Sequence, residues 1–71
     1  SAPAESNRDV NLDIGQTVQV GAWGSDQRAR VQYRGASWEV RYAGTGQPAS
    51  GEHVIVALHG NRLDVAPTRA N

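Results

Sequence analysis

Polar and apolar residues alternate twice in the middle of the chain, over residues 28–34 and 38–42. Side chains on a strand point to opposite faces with a period of two, so each run predicts a strand with one apolar and one charged face. The alternation breaks at Gly35-Ala36-Ser37, which we assign to a hairpin loop. The predicted apolar face consists of Ala29, Val31, Tyr33, Trp38, Val40 and Tyr42.

Another strand is predicted before this hairpin, from Thr17 to Trp23. Gly21 inside it predicts a bulge, the device that curls a sheet into a barrel. A bulge there would turn Trp23 inward, and without it Trp23 would lie at the rim. Val10, Leu12 and Ile14 also alternate with polar residues, which fits either a short strand or an ordered lead-in.

Two further strands are predicted after the hairpin. In the first, Val54, Val56 and Leu58 are expected to face inward, and His53, Ile55, Ala57 and His59 to face the other way. Gly60-Asn61 predicts a two-residue turn into the last strand, 62–65, which Pro67 ends. Residues 24–27 predict a turn, and the Gly/Pro-rich segment 44–51 predicts a loop.

About five short antiparallel strands without a helix predict a small all-β barrel. A bent first strand favours a five-stranded OB-fold-like barrel, with an SH3-like barrel as the alternative. We expect residues 1–11 to be a flexible linker, 12–67 to form the barrel, and 68–71 to be a disordered tail.

The amino-acid composition and net charge make some classes of function less plausible for this chain. With 71 residues there is room for one small domain, and without cysteine neither a disulfide nor a thiolate zinc site can support it. The formal net charge of +0 gives no overall attraction to nucleic acid or to an anionic membrane.

No catalytic arrangement is evident in the sequence. His53 and His59 are predicted on one strand face, but six positions separate them by roughly 20 Å, too far for two ligands of one metal ion. Each is expected to be a surface residue near a strand end. We therefore expect a protein that is not an enzyme and that uses no cofactor, metal or small-molecule ligand.

Single-stranded nucleic-acid binding is the alternative function, because the hairpin combines arginines with aromatic residues. Such binding requires both on one solvent face. The period of two instead places Tyr33, Trp38 and Tyr42 opposite the arginines, so nucleic acid is not the expected partner. Protein interaction remains, and its candidate surface consists of Trp23, Arg28, Arg30 and Arg41, since tryptophan and arginine dominate interface hot spots. Trp23 could equally cap the barrel end.

The motifs occur in an order that resembles the C-terminal soluble domain of NfeD-like proteins. They are Ala29-Arg30-Val31, Arg34-Gly35 followed by Trp38-Glu39-Val40, Gly51-Glu52-His53-Val54-Ile55-Val56, and Gly60-Asn61-Arg62-Leu63-Asp64-Val65-Ala66-Pro67. The resemblance covers residues 12–67. It implies an OB-type barrel that lacks the usual helix between its third and fourth strands.

The resemblance also implies a setting for the domain. NfeD-like proteins are membrane proteins that work with stomatin- and prohibitin-like (SPFH) partners in membrane organisation or quality control, and some carry a ClpP-like protease domain that this chain lacks. The expected location is the cytoplasmic face of the bacterial inner membrane, with the isolated domain a monomer. The family offers no catalytic residues here. Its matched positions imply core residues (Val31, Trp38, Val40, Val54, Val56, Leu63, Val65) and turns (Gly35, Gly51, Gly60).

Overall fold

The computed structural model describes residues 12–68, and its regular elements are five β-strands. They are β1 (Thr17–Val20), β2 (Arg28–Tyr33), β3 (Ala36–Tyr42), β4 (Gly51–His59) and β5 (Arg62–Pro67). The all-β prediction is confirmed. The predicted linker, 1–11, and residues 69–71 of the predicted tail lie outside the described residues.

The strands form one sheet in the order β1-β4-β5-β3-β2. Neighbouring strands are antiparallel except β3 and β5, which pair in parallel. The first and last strands of this order, β1 and β2, also contact each other, so the sheet curls into a nearly closed barrel. The OB-fold-like prediction is confirmed, and the described segment between β3 and β4 (43–50) contains no helix.

Every strand contributes to one apolar core inside the barrel. Its buried members are Val18, Val20, Val31, Val40, Ile55, Leu63 and Val65. Tyr42 is also buried, while Tyr33 and Trp38 are half-buried and pack against the core. The hairpin register places Val31 opposite Trp38 and Ala29 opposite Val40. The inward parity predicted for β2 and β3 is therefore confirmed.

The hairpin turn lies one residue earlier than predicted. Arg34 and Gly35 form it, with φ angles of 53° and 76°, and Tyr33 pairs with Ala36 across it. Positive φ at both central residues belongs to the type I′ turn, whose twist matches that of the flanking strands. Ala36 and Ser37 are thus part of β3, and their assignment to the loop was wrong.

The predicted parity of β4 was wrong over its first half. Ile55 and His53 are buried at 0% and 3% exposure, whereas Val56 is 43% exposed and Val54 is half-buried. The pairing of β4 with β5 shifts between Ile55 and Ala57. A β-bulge places two residues opposite one and so reverses the parity beyond it. Leu58 consequently faces the core again.

The segments on either side of β1 also differ from their predictions. Leu12 and Asp13 lie in a helical turn, so the lead-in alternative holds and the short strand was wrong. The amide of Gly15 donates to the carbonyl of Ile55 at 2.8 Å, which fastens this lead-in to β4. β1 ends at Val20, so the bulge predicted at Gly21 is not part of the strand.

Candidate interaction surface

The outer side of the sheet carries ordered rows of charged side chains. In one row, the register places Arg28 beside Arg41 and Arg41 beside Asp64. In the next row, Arg30 is beside Glu39, Glu39 beside Arg62, and Arg62 beside His59. We call the four arginines of these rows (Arg28, Arg30, Arg41, Arg62) the arginine face. It exists because polar residues alternate with core residues on β2, β3 and β5.

Glu39 neutralises one end of the arginine face. Its carboxylate accepts a hydrogen bond from Arg28 Nη1 at 2.6 Å, with both side chains partly exposed. This hydrogen bond is the main reason why the pKa of Arg28 is raised above its usual value. Arg30 lies directly opposite Glu39, yet its Nε donates to the hydroxyl of Ser37 at 3.2 Å. Among the described residues, the hydrogen-bond partner of Arg30 is thus an uncharged hydroxyl group.

Asp64 is the second counter-ion and lies beneath three basic side chains. Its Oδ1 accepts from Arg62 Nε at 3.1 Å, and its Oδ2 is 3.5 Å from Arg41 Nη2 and 3.2 Å from His59 Nε2. The Asp64 side chain is only 6% exposed, although it points to the outer side of the barrel. The surrounding side chains cover it, which is how a carboxylate becomes buried on an outer sheet face.

Charge is unevenly distributed over a neutral chain. Four arginines and two carboxylates give the outer rows an excess of two positive charges, while the whole chain has a net charge of +0. Fixed positive charge on one side of a neutral domain attracts negatively charged surfaces and orients their approach.

A separate aromatic cluster closes one end of the barrel. Trp23 contacts Tyr42 and His53 edge to face, with ring centroids 5.5 Å and 5.4 Å apart. The indole Nε1–H of Trp23 donates to the carbonyl of Ala49 at 2.9 Å, and Tyr42 Oη donates to the carbonyl of Thr45 at 2.9 Å. Both bonds hold the 43–50 loop against the barrel.

His53 belongs to this cluster, so its predicted surface position was wrong. It is 3% exposed, and its Nδ1 lies 3.0 Å from the carbonyl of Gly51. The bulge in β4 explains the error, because it separates the two histidines onto opposite faces and leaves His59 exposed beside Asp64. Within residues 12–68, no group of three histidine, cysteine or acidic side chains could hold a metal ion.

The aromatic side chains do not join the arginine face. Tyr33 and Trp38 stack edge to face with centroids 6.5 Å apart and pack against the core. Tyr33 Oη donates to Asp13 Oδ1 at 2.7 Å. Burial, and then this hydrogen bond, raise the pKa of Tyr33. The guanidinium of Arg34, at the hairpin tip, lies 5.7 Å from the centre of the Tyr33 ring, but the described residues place no aromatic ring on the arginine face itself. The nucleic-acid alternative is therefore not favoured.

The sequence-predicted surface residues fall in two places. Arg28, Arg30 and Arg41 lie together on the arginine face, whereas the described contacts of Trp23 are with the barrel-end cluster and the 43–50 loop. Sequence reasoning missed Arg62 and the counter-ion Asp64. Their alternation with Leu63 and Val65 marks them as outward-facing, but only the parallel pairing of β5 with β3 brings them to the hairpin.

Comparison with known families identifies the kind of domain. The model of the NfeD-like C-terminal, partner-binding domain matches residues 10–67. This chain belongs to the NfeD-like family. The family is one of partner-binding domains rather than of enzymes, and the role of this domain is protein interaction. A comparison with curated proteins found no match.

A solved structure of another protein has the same fold. It is the C-terminal domain of stomatin operon partner protein 1510-C from Pyrococcus horikoshii, which superposes with a TM-score of 0.68 at 22% identity. The match covers 86% of this chain and 95% of that chain. In residues 12–68, no helix has the length and apolar character needed to cross a membrane.

Proposed function

We propose that this domain binds a stomatin-family (SPFH) membrane protein and that it is the interaction domain of a membrane-anchored NfeD-like protein. The partner-binding family supports an interaction role, and the similar Pyrococcus domain comes from a protein named as a stomatin operon partner. In this proposal the domain is a monomer that performs no catalysis. It contributes to membrane organisation or quality control by joining two membrane proteins.

The arginine face is the proposed contact surface, and the observation that carries this assignment is its excess of positive charge. Arg28 and Arg41 keep side-chain exposures of 41% and 45% while paired with Glu39 and Asp64. Arginine side chains that are held in place and still accessible lose less conformational freedom when a partner binds. Trp23 is proposed to hold the 43–50 loop, because its indole N–H is already bonded within the domain.

Calorimetric titration with the membrane-external region of a stomatin-family protein from the same organism tests the proposal. The test variant combines Arg30→Gln with Arg41→Gln, and Arg34→Gln alone is the control. The control removes one arginine charge at the hairpin tip, where Arg34 Nε lies 3.4 Å from Asp13. Exposed ion pairs contribute about 0.2–1 kcal/mol each, so the double variant should bind at least about twofold more weakly. If the wild-type domain does not bind this region, the partner assignment is contradicted.

The proposed location is the cytoplasmic face of a bacterial inner membrane. Reporter fusions to the C-terminus of the full-length parent protein test it, using a fluorescent protein that matures in the cytoplasm and a phosphatase that is active only outside it. Fluorescence without phosphatase activity is expected. Phosphatase activity would place the domain on the other side and would require a partner region on that side.

A further inference from the structure

The two carboxylates of the outer rows are already engaged within the domain. Glu39 is bonded to Arg28, and the Asp64 side chain, 6% exposed, touches Arg41, Arg62 and His59. Turning Asp64 towards a partner would break several of these contacts at once. The counter-ions therefore hold the guanidinium groups in place and offer little to a partner.

Arg30 differs from the other members of the arginine face. It is exposed, and among the described residues its hydrogen-bond partner is the hydroxyl of Ser37. A hydroxyl carries no charge that would compensate the guanidinium, and the Glu39 carboxylate opposite Arg30 is hydrogen-bonded to Arg28 instead. Arg30 is thus the position on this face where an added carboxylate would gain most from both charge and hydrogen bonding.

We propose that the arginine face recognises a carboxylate-rich segment of a partner protein, with Arg30 as the principal contact and Arg41 as its diagonal neighbour on β3. This inference rests on the proposed function, because it gives the chemistry of the partner's contact surface. Arg41 pairs with Arg28, two residues from Arg30 on β2, so Arg30 and Arg41 are diagonal neighbours roughly 7–8 Å apart. Acidic side chains at helical i, i+4 spacing have Cβ atoms about 5–6 Å apart, a difference that the long arginine side chains can span.

A nucleic acid fits this surface less well, although phosphates are also anions. The excess of two positive charges is small beside the roughly six to ten phosphate contacts of a typical nucleic-acid-binding protein. Tyr33 and Trp38 pack on the core side and are not available for stacking with bases on the arginine face. A protein segment that presents a few carboxylates needs neither feature.

A nuclear magnetic resonance titration with short polyglutamate tests the inference without the natural partner. The ¹⁵N-labelled domain is titrated at about 0.01 M and about 0.1 M salt, where screening lengths are roughly 30 Å and 10 Å. Shifts are expected at the Nε–H signals of Arg30 and Arg41, and binding should weaken as salt rises. At about 0.1 M salt, Arg30→Gln should reduce the affinity roughly 1.4- to fivefold. Arg34→Gln, which changes the net charge equally but lies at the hairpin tip, should leave the affinity within error of wild type at that salt.

Several results would overturn the inference. Polyglutamate shifts that avoid the arginine face, or an equal loss of affinity in Arg34→Gln, would remove its basis. Tighter binding of an oligothymidylate or of phosphatidylglycerol vesicles than of polyglutamate at the same salt would also overturn the inference. If the stomatin-family region binds but polyglutamate does not, the acidic-segment inference alone fails. If polyglutamate binds at Arg30 but the stomatin-family region does not, the proposed partner alone fails.

Discussion

Two adjacent residues of β4 are buried to very different extents, so truncating each of them should cost different amounts of unfolding free energy. Comparing the two losses tests which way each side chain points. Ile55 is 0% exposed at the centre of the core, whereas Val56 is 43% exposed. Simple alternation along the sequence predicts the reverse order. Ile55→Ala and Val56→Ala are therefore a matched pair whose relative effects test which of the two side chains faces the core.

The expected losses follow from burial. Ile55→Ala removes three carbons at about 0.8 kcal/mol each, and the cavity that remains brings the loss into the usual range of about 2–5 kcal/mol. Val56→Ala removes two carbons, about 1.6 kcal/mol if they were fully buried. Its 43% exposure reduces this to about 0.9 kcal/mol, without a closed cavity. The two variants should differ by at least about 1 kcal/mol.

Urea unfolding, followed by circular dichroism and tryptophan fluorescence, measures both variants against wild type. At roughly 0.05–0.15 kcal/mol per residue, the whole domain should have a stability of about 4–10 kcal/mol, so Ile55→Ala can approach complete unfolding. Ile55→Val then serves instead, with an expected loss of about 0.5–1.5 kcal/mol for one carbon. A loss per carbon at Val56 equal to or above that at Ile55 would refute the inward position of Ile55.

Three further predictions concern the barrel end and the hairpin tip. Gly44→Ala should lower the unfolding free energy by about 1–3 kcal/mol, because a Cβ there would lie 2.7 Å from Tyr42 Oη. Gly21→Ala, where a Cβ meets no atom within 4 Å and φ is not positive, is the control and should leave the stability nearly unchanged. Trp23→Phe should lose about 0.5–1.5 kcal/mol with the indole hydrogen bond, and an unchanged urea midpoint would show that the bond contributes nothing. The pKa of Tyr33 is raised, so Tyr33 should ionise above pH 10 in an absorbance titration of Tyr42→Phe. Because Tyr33 then loses its proton first in the unfolded chain, the stability should fall as the pH rises above about 10, and it should fall less in Tyr33→Phe.

The sequence predicted those parts of the fold that depend on local periodicity. The inward parity of Val31 and Val40 follows from alternation, and so does the outward parity of Arg28, Arg30 and Arg41. Each of these strands presents one face to the core and one to solvent, so the hydrophobic effect fixes the side on which every residue lies. The arginine face was therefore largely predictable as a set of outward residues.

Features set by long-range pairing were not predictable in the same way. Val56 is apolar and lies in an unbroken run of strand-forming residues, so nothing local marks the bulge that exposes it. The burial of His53 depends on Trp23, which is 30 positions away in the chain. Asp64 reaches Arg41 only through the parallel pairing of β3 with β5. Each of these features requires the closed barrel to exist first.

A chemical-shift map of the labelled domain with the membrane-external region of the proposed stomatin-family partner tests the binding surface most directly. We expect the largest shifts to fall on the arginine face, at Arg28, Arg30, Arg41 and Arg62, and Arg30→Gln to weaken the interaction. Shifts concentrated instead around Trp23 and the 43–50 loop would place the binding surface at the barrel end and contradict its assignment to the arginine face.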